Sequence, residues 1–237
     1  MKARMKDGGR SVVRAENIRR IFDMGAVKVN AVDGIDIDIR NGDYVSIMGP
    51  SGSGKTTLLN ILSAMLRPSS GEVYIENKPI SKMDDNELAK VRGKTIGFVF
   101  QTFNLVSRLT ALENVMLPLW FQGIPKSERE AIARQKLEAV GLADRVNHKP
   151  NELSGGQRQR VAIARALAVD PSVIVADEPT GNLDSKSGEQ ILKIIDDLHE
   201  KDGKTIIMVT HEEYVGKRAE KTIHIRDGKI INIERHR

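Results

Sequence analysis

No cysteine occurs anywhere in the chain, so disulfide bridges and thiolate chemistry are excluded and a reducing compartment suits it. Aromatic residues make up only 4%. No dense basic tract interleaved with aromatics is present, so the usual footprint of nucleic-acid binding is missing. Long apolar runs are missing too. The stretch from Val115 to Phe121 is interrupted by Pro118, whereas a membrane-crossing helix needs roughly 18 apolar residues or more. Met1 to Ser11 is polar and basic and lacks the apolar centre of a signal peptide. Residues 1–11 read as a short disordered lead-in.

What remains has an ordinary globular balance, with 40% hydrophobic and 29% charged residues. A chain of 237 residues suits one domain carrying an inserted subdomain, here 12–237, and buries enough surface to need no staple. The formal charge is +5, from 37 basic and 32 acidic residues. The two signs are interspersed, which favours a solvated mixed surface over a nucleic-acid or membrane footprint.

Two kinds of strand pattern are visible. Val12 to Ile21 and Val27 to Ile39 include period-two alternation, as in Ile35, Asp36, Ile37, Asp38 and Ile39, the mark of a sheet buried on one face. Gly71 to Ile75 turning at Glu76-Asn77, and Thr222 to Ile225 turning at Asp227-Gly228, are hairpin candidates. Together these predict an antiparallel sheet at one side. By contrast Tyr44–Met48, Ile96–Phe100, Val173–Ala176 and Ile206–Thr210 are continuous apolar, largely β-branched runs, as expected of parallel strands buried on both faces. Helical patterns separate them at Ser127–Val140, Ser154–Ala168 and Ser185–Leu198. Ser127 with Glu130 and Thr110 with Glu113 have capping-box spacing, and Gly123 and Gly141 are expected helix stops. The expected fold is α/β, with a mostly parallel core sheet, an antiparallel β subdomain and a helical subdomain inserted at about 102–168.

Gly49, Pro50, Ser51, Gly52, Ser53, Gly54, Lys55 and Thr56 match G-x-x-x-x-G-K-[ST], with a strand pattern before them and a helix pattern, Thr56 to Met65, after them. The glycines let backbone N–H groups approach phosphate oxygens at a helix N-terminus. Lys55 then reaches the outer phosphates, Thr56 offers its hydroxyl to Mg²⁺, and Thr57 lies beside them. The implied ligand is a nucleoside triphosphate.

Ligands in such sheets sit at the carboxyl ends of the strands. Val173–Ala176 runs into Asp177, a candidate Mg²⁺ ligand, and Glu178, a candidate general base or water-orienting group. Adjacent carboxylates before Pro179 also suit a turn or helix cap. The neighbouring strands end at His211, a candidate γ-phosphate donor, and Gln101, a candidate ligand of the metal or of the attacking water. Taken singly, His211 and Gln101 are as readily surface or loop residues.

Leu153, Ser154, Gly155, Gly156 and Gln157 open a further amphipathic helix. Ser154 and Gln157 have the spacing of a capping box, but such a box has no use for two glycines, each costing about 0.8–1.0 kcal/mol relative to alanine inside a helix. Bare N–H groups, the Ser154 hydroxyl and the positive helix end make an anion site. It has no lysine or metal ligand of its own, so two copies packed head to tail, each completing the other's site, are expected.

These residues resemble the ATP-binding cassette of ABC transporters over nearly the whole chain. Gly49–Thr56 is similar to the Walker A motif, Val173–Asp177 to Walker B, and Leu153–Gln157 to the signature motif. The resemblance implies ATP and Mg²⁺ as cofactors, Gln101 in the Q-loop, Glu178 as catalytic glutamate, Asp184 in the D-loop, His211 as switch histidine, and Phe22 stacked on adenine. It also implies an ATP-dependent homodimer, cytoplasmic and peripheral on the inner face of the cell membrane through integral permease subunits, which dock partly near Gln101. Glu212 stands where the family commonly has aspartate. Asn77 to Ile80 lacks the aspartate of the guanine-reading motif, so GTP is not expected. Phe98–Leu105 followed by Leu109–Val115 most resembles the lipoprotein-release and macrolide-export subgroup, whose permeases export cargo or transmit force. A soluble cassette ATPase acting on nucleic acid or ribosomes is the alternative. Its relatives carry a long coiled coil or two cassettes in one chain, and no sustained heptads separate Thr57 from Leu153 here. A P-loop kinase would leave Ser154–Gln157 without a role.

Overall fold

The computed structural model describes residues 9–23, 25 and 27–236. Residues 1–8 of the expected lead-in lie outside them, and Ser11 already pairs with Arg40 as the first residue of a strand. In chain order the elements are β1 (Ser11–Asp23), β2 (Lys28–Arg40), β3 (Tyr44–Met48), α1 (Lys55–Leu62), β4 (Ser70–Ile75), β5 (Lys78–Pro79), α2 (Asp85–Thr95), β6 (Ile96–Val99), α3 (Ala111–Phe121), α4 (Lys126–Ala139), α5 (Gly155–Leu167), β7 (Val173–Asp177), α6 (Ser185–Glu200), β8 (Thr205–Val209), α7 (Glu213–Gly216), β9 (Lys221–Arg226) and β10 (Lys229–Arg235).

The apolar runs become the core sheet, in the order β10-β9-β3-β8-β7-β6. Neighbours from β9 to β6 are parallel, and β10 returns antiparallel beside β9. Alternate residues of each strand serve opposite faces. Val45, Ile47, Val173, Val175, Ile207 and Val209 face α1 and the antiparallel sheet, while Tyr44, Ile174, Ala176, Ile206 and Met208 face α5 and α6. Both faces are covered, which is why these strands are apolar without interruption. On α1, Leu58, Leu59, Ile61 and Leu62 are wholly buried. At roughly 1.5–3 kcal/mol for each buried side chain, that packing outweighs the poor intrinsic stability of so short a helix.

The second sheet has the order β2-β1-β4-β5. The hairpin at Glu76-Asn77 belongs to it, with both turn residues at positive φ. The hairpin at Asp227-Gly228 does not. It closes β9–β10 at the end of the core sheet, so the expectation of a single antiparallel sheet holding all these segments is corrected. Between β6 and β7 the chain is helical, and α3, α4 and α5 share a core that includes Val115, Leu119, Ala133, Leu137 and Val161.

Thr110 and Glu113 form the expected capping box, and Gly123 and Gly141 follow α3 and α4. Ser127 does not cap α4. The helix starts one residue earlier, after Pro125, whose ring pre-sets φ at −58° without a side-chain cap. α1 begins at Lys55 and ends at Leu62, short of Met65, because Ala64 takes φ 55°. The helix α2 went unforeseen. It has a full capping box between Asp84 and Glu87 but buries only Leu88 and Thr95, so it shows almost no apolar period. Among the described residues, no helix is long and apolar enough to cross a membrane.

Candidate nucleotide site

At the carboxyl end of β3 the chain turns through the glycine-rich loop into α1. Lys55 is only 8% exposed, and its Nζ donates to the carbonyls of Gly49 and Pro50, both at 2.9 Å. Those bonds offset the cost of burying an ammonium. The loop is gripped from both sides. A Cβ on Gly49 would lie 2.1 Å from the Ile225 carbonyl oxygen of β9, and one on Gly54 would lie 2.0 Å from that of Ala31 in β2. Gly228 N donates to Ser53 O at 3.0 Å. Ser53 itself is buried, and its hydroxyl has no hydrogen-bond partner in the chain. An orphaned buried hydroxyl in a glycine-rich loop at a helix N-terminus fits an anionic ligand.

Asp177, at the end of β7, faces this loop. The Thr56 hydroxyl donates to its Oδ1 at 3.5 Å. Burial, and then the charge of Glu178, push the Asp177 carboxyl above its ordinary value, opposed by the Thr56 hydrogen bond and by Lys55. The Thr56 hydroxyl and the Asp177 carboxylate are hard oxygen donors of the kind Mg²⁺ prefers.

Glu178 has φ 44°, a conformation a non-glycine residue adopts at a cost of about 1–3 kcal/mol. Its carboxylate is shared between two neighbouring strand ends. Gln101 Nε2 donates to Oε2 at 3.2 Å, and His211 Nδ1 lies 3.1 Å from Oε1. Because a carboxylate only accepts, the ring proton belongs on Nδ1. Glu178 N also donates to Val209 O at 3.0 Å, and Asn182 Nδ2 donates to Gln101 O at 3.0 Å. Gln101, Glu178 and His211 therefore form one linked group, and Thr56 joins Asp177 at its side.

Ser154 and Gln157 lie elsewhere, on α5. They form a reciprocal capping box, with Gln157 N to Ser154 Oγ at 3.2 Å and Ser154 N to Gln157 Oε1 at 2.9 Å. Among the described residues, no hydrogen bond or ion pair joins Ser154–Gln157 to Gly49–Thr57. The two glycines have a reason within the chain as well. A Cβ on Gly156 would meet Ser187 Cβ and Oγ at 3.0 Å, and one on Gly155 would meet Leu183 at 3.2 Å. Close packing of α5 against α6 at that point gives the two glycines a reason beside the expected anion site. Asp184 caps α6 by accepting from Ser187 N at 3.0 Å, and this backbone hydrogen bond lowers its carboxyl below the ordinary value. Phe22 is partly buried on β1, across from Val29, with the Arg20 guanidinium 4.8 Å from its ring centre.

The family model described as ABC transporter matches residues 32–181, which takes in the glycine-rich loop, Gln101, Ser154–Gln157 and the Asp177–Glu178 pair. The chain belongs to the ABC transporter family. It is 53% identical to an ABC transporter ATP-binding protein of Thermotoga maritima, over 95% of this chain and 96% of that one. It is 44% identical to the macrolide export ATP-binding/permease protein MacB 1/2 of Paracoccus denitrificans, over 96% of this chain but 34% of that protein. Among solved structures it is similar to the ATP-binding cassette MJ0796 of Methanocaldococcus jannaschii, in a dimeric post-hydrolysis state bound to ADP and Pi. There the TM-score is 0.89 and the identity 48%, over 95% of this chain and 99% of that one. The cassette is the ATP-binding, ATP-hydrolysing subunit of an ABC transporter.

Three residues of α5 that bear on the cassette's site were not foreseen. Arg165 donates to Phe103 O at 2.9 Å and to Asn104 O at 2.5 Å, the guanidinium of Arg158 lies 5.2 Å from the Phe103 ring centre, and Gln159 donates to Phe100 O at 3.2 Å. Phe103 and Asn104 both have positive φ, 62° and 49°. The loop after Gln101 is thus held in a left-handed turn by one helix. A readable signal existed for Gln159, a long polar residue on the apolar face of α5. Beside the loop is a cleft of about 220 Å³ whose lining includes Arg92, Phe98, Phe100, Pro118 and Arg165, with Phe98 and Phe100 stacked at 4.2 Å.

Proposed function

We propose that the cassette binds two ATP molecules at the interface of a head-to-tail homodimer and drives integral membrane permease subunits, for export or for the transmission of force. Within each site Gly49, Ser51, Gly52, Ser53, Gly54, Lys55, Thr56 and Thr57 cradle the phosphates, and Phe22 stacks on adenine. Thr56, Asp177 and Gln101 hold Mg²⁺, which when bound supplies positive charge against the outer phosphates. Glu178 orients the attacking water and accepts its proton, and His211 and Gln101 hold that carboxylate at the required angle. Ser154, Gly155, Gly156 and Gln157 of the second copy face the same triphosphate, with Asp184 at the seam between copies.

The observation that carries this reading is the position of Glu178. Its carboxylate is pinned by Gln101 and His211 beside the Thr56–Asp177 pair. The dimeric arrangement is supported by the separation of Ser154–Gln157 from the chain's own loop and by the dimeric state of MJ0796. The fused permease of the MacB relatives supports a membrane partner, as does the aromatic cleft beside Gln101, and a position on the inner face of the cell membrane is the reading that goes with such a partner. Glu178→Gln should bind ATP yet stall turnover, and gel filtration with ATP should then show a stable dimer. A monomer at high protein and ATP concentration would refute the shared site.

A further inference from the structure

The last hydrogen-bonded pair between β6 and β7 is Val99 with Ala176. The ladder ends there, before Gln101 and Glu178, and Pro179 has no N–H with which to extend it. One side chain spans the gap. Gln159 is 0% exposed, and its Nε2 donates to Phe100 O at 3.2 Å and to Pro179 O at 2.8 Å. Phe100 immediately precedes Gln101 and Pro179 immediately follows Glu178, so one amide grips the backbone next to both partners of the 3.2 Å contact between Gln101 and Glu178.

Gln159 lies on the first turns of α5, the helix capped by Ser154. Its Oε1 is buried with no hydrogen-bond partner. Buried amides are ordinarily satisfied at both ends. Here one end is left unpaired while the other serves two carbonyls from different strands, which packing alone does not require. An apolar residue would fill the same volume without the orphaned oxygen.

We propose that Gln159 is a positioning residue for ATP hydrolysis: it sets the spacing of Gln101 and Glu178 and ties that spacing to the position of the Ser154 helix. This rests on the reading of Glu178 given under Proposed function. Displacing α5 pulls on Phe100 and Pro179 together, so the carboxylate is aligned only when α5 sits where its N-terminal turn can meet the partner's nucleotide. The phosphate cradle, which dominates ATP binding, needs no such alignment, because Gln159 makes none of its hydrogen bonds with the glycine-rich loop.

Gln159→Met keeps length and volume but removes both donors. The expected result in the full chain is a kcat lowered roughly ten- to hundred-fold, the scale of a sub-ångström to one-ångström misplacement. KM for ATP and the melting temperature should stay near wild type. Gln159→Glu restores one donor while its buried carboxyl is protonated, so its kcat relative to wild type should exceed that of Gln159→Met at low pH and fall as pH rises. A wild-type kcat for Gln159→Met overturns the proposal, and so does a joint loss of kcat, ATP affinity and melting temperature, which would mark a packing role. If Gln159→Met does not fold, a pH-independent kcat ratio for Gln159→Glu overturns it. Glu178→Gln, measured alongside, separates the two readings. Turnover retained there removes the role given to Glu178, whereas turnover lost there but kept in Gln159→Met removes only the role given to Gln159.

Discussion

Replacing Gly54 with alanine adds a single methyl group at the N-cap of α1, where the backbone has φ 99°. The added Cβ would lie 2.0 Å from Ala31 O, 3.2 Å from Ala31 C and 3.6 Å from Gly228 Cα. Both nearest atoms are backbone, so no side chain can swing aside. The unfavourable φ costs about 1–3 kcal/mol, and forcing β2 away from the loop adds about 1–3 kcal/mol of overpacking. A total near 4 kcal/mol lowers the melting temperature by about 8–16 °C in a chain of this size. Gly52 is the control. It has φ 77° but nothing within 4 Å of an added Cβ, so Gly52→Ala should cost only about 1–2 kcal/mol. Thermal unfolding by circular dichroism without nucleotide is the assay, since both variants disturb ATP binding. If Gly54→Ala melts within about 2 °C of Gly52→Ala, the backbone clamp is not what demands glycine at position 54.

Gly156→Ala should destabilise the wild-type chain but not a Ser187→Gly background, because the atoms it meets at 3.0 Å belong to the Ser187 side chain. Urea unfolding of the four proteins should give a coupling of about 0.5–3 kcal/mol, and a coupling near zero would remove the in-chain reason for that glycine. Lys204 Nζ donates to Asp170 Oδ1 at 2.7 Å and holds that carboxyl below its ordinary 3.8. The stability so gained is complete above that ordinary value and is lost as pH falls through the lowered one. Because Asp170 is mostly exposed, Lys204→Met should cost less than about 1 kcal/mol at neutral pH. It should also flatten the acid limb of the urea midpoint plotted against pH, and an unchanged limb would refute the assignment.

Much of this was legible before any coordinates. The loop Gly49–Thr56, the carboxylates Asp177 and Glu178, and the strand ends at Gln101 and His211 each follow a continuous apolar run, and such runs settle into one parallel sheet with their ends aligned. Their convergence on Glu178 follows from that geometry. The placement of the Asp227-Gly228 hairpin was not legible, because a turn dipeptide names a hairpin without naming the sheet it joins. The helix α2 was hidden because a surface helix that buries little has no apolar period, although its Asp84–Glu87 cap has the same spacing as the Thr110–Glu113 one. The packing of α6 against Gly155 and Gly156 was not legible, because that crossing is a tertiary contact. The roles of Arg158, Gln159 and Arg165 depend on where a helix lies against a loop about sixty residues away, and local pattern carries no such information.

The clamp on the glycine-rich loop also has a consequence for the order in which the molecule is made. One jaw, at Ala31, is synthesised before the loop, whereas the other comprises Ile225 and Gly228, far downstream of it. A nascent chain that has already exposed every phosphate-binding residue still lacks the strand that shapes the loop. Competence to hold nucleotide should therefore arrive abruptly, once the β9–β10 hairpin has emerged, rather than accumulate as translation proceeds.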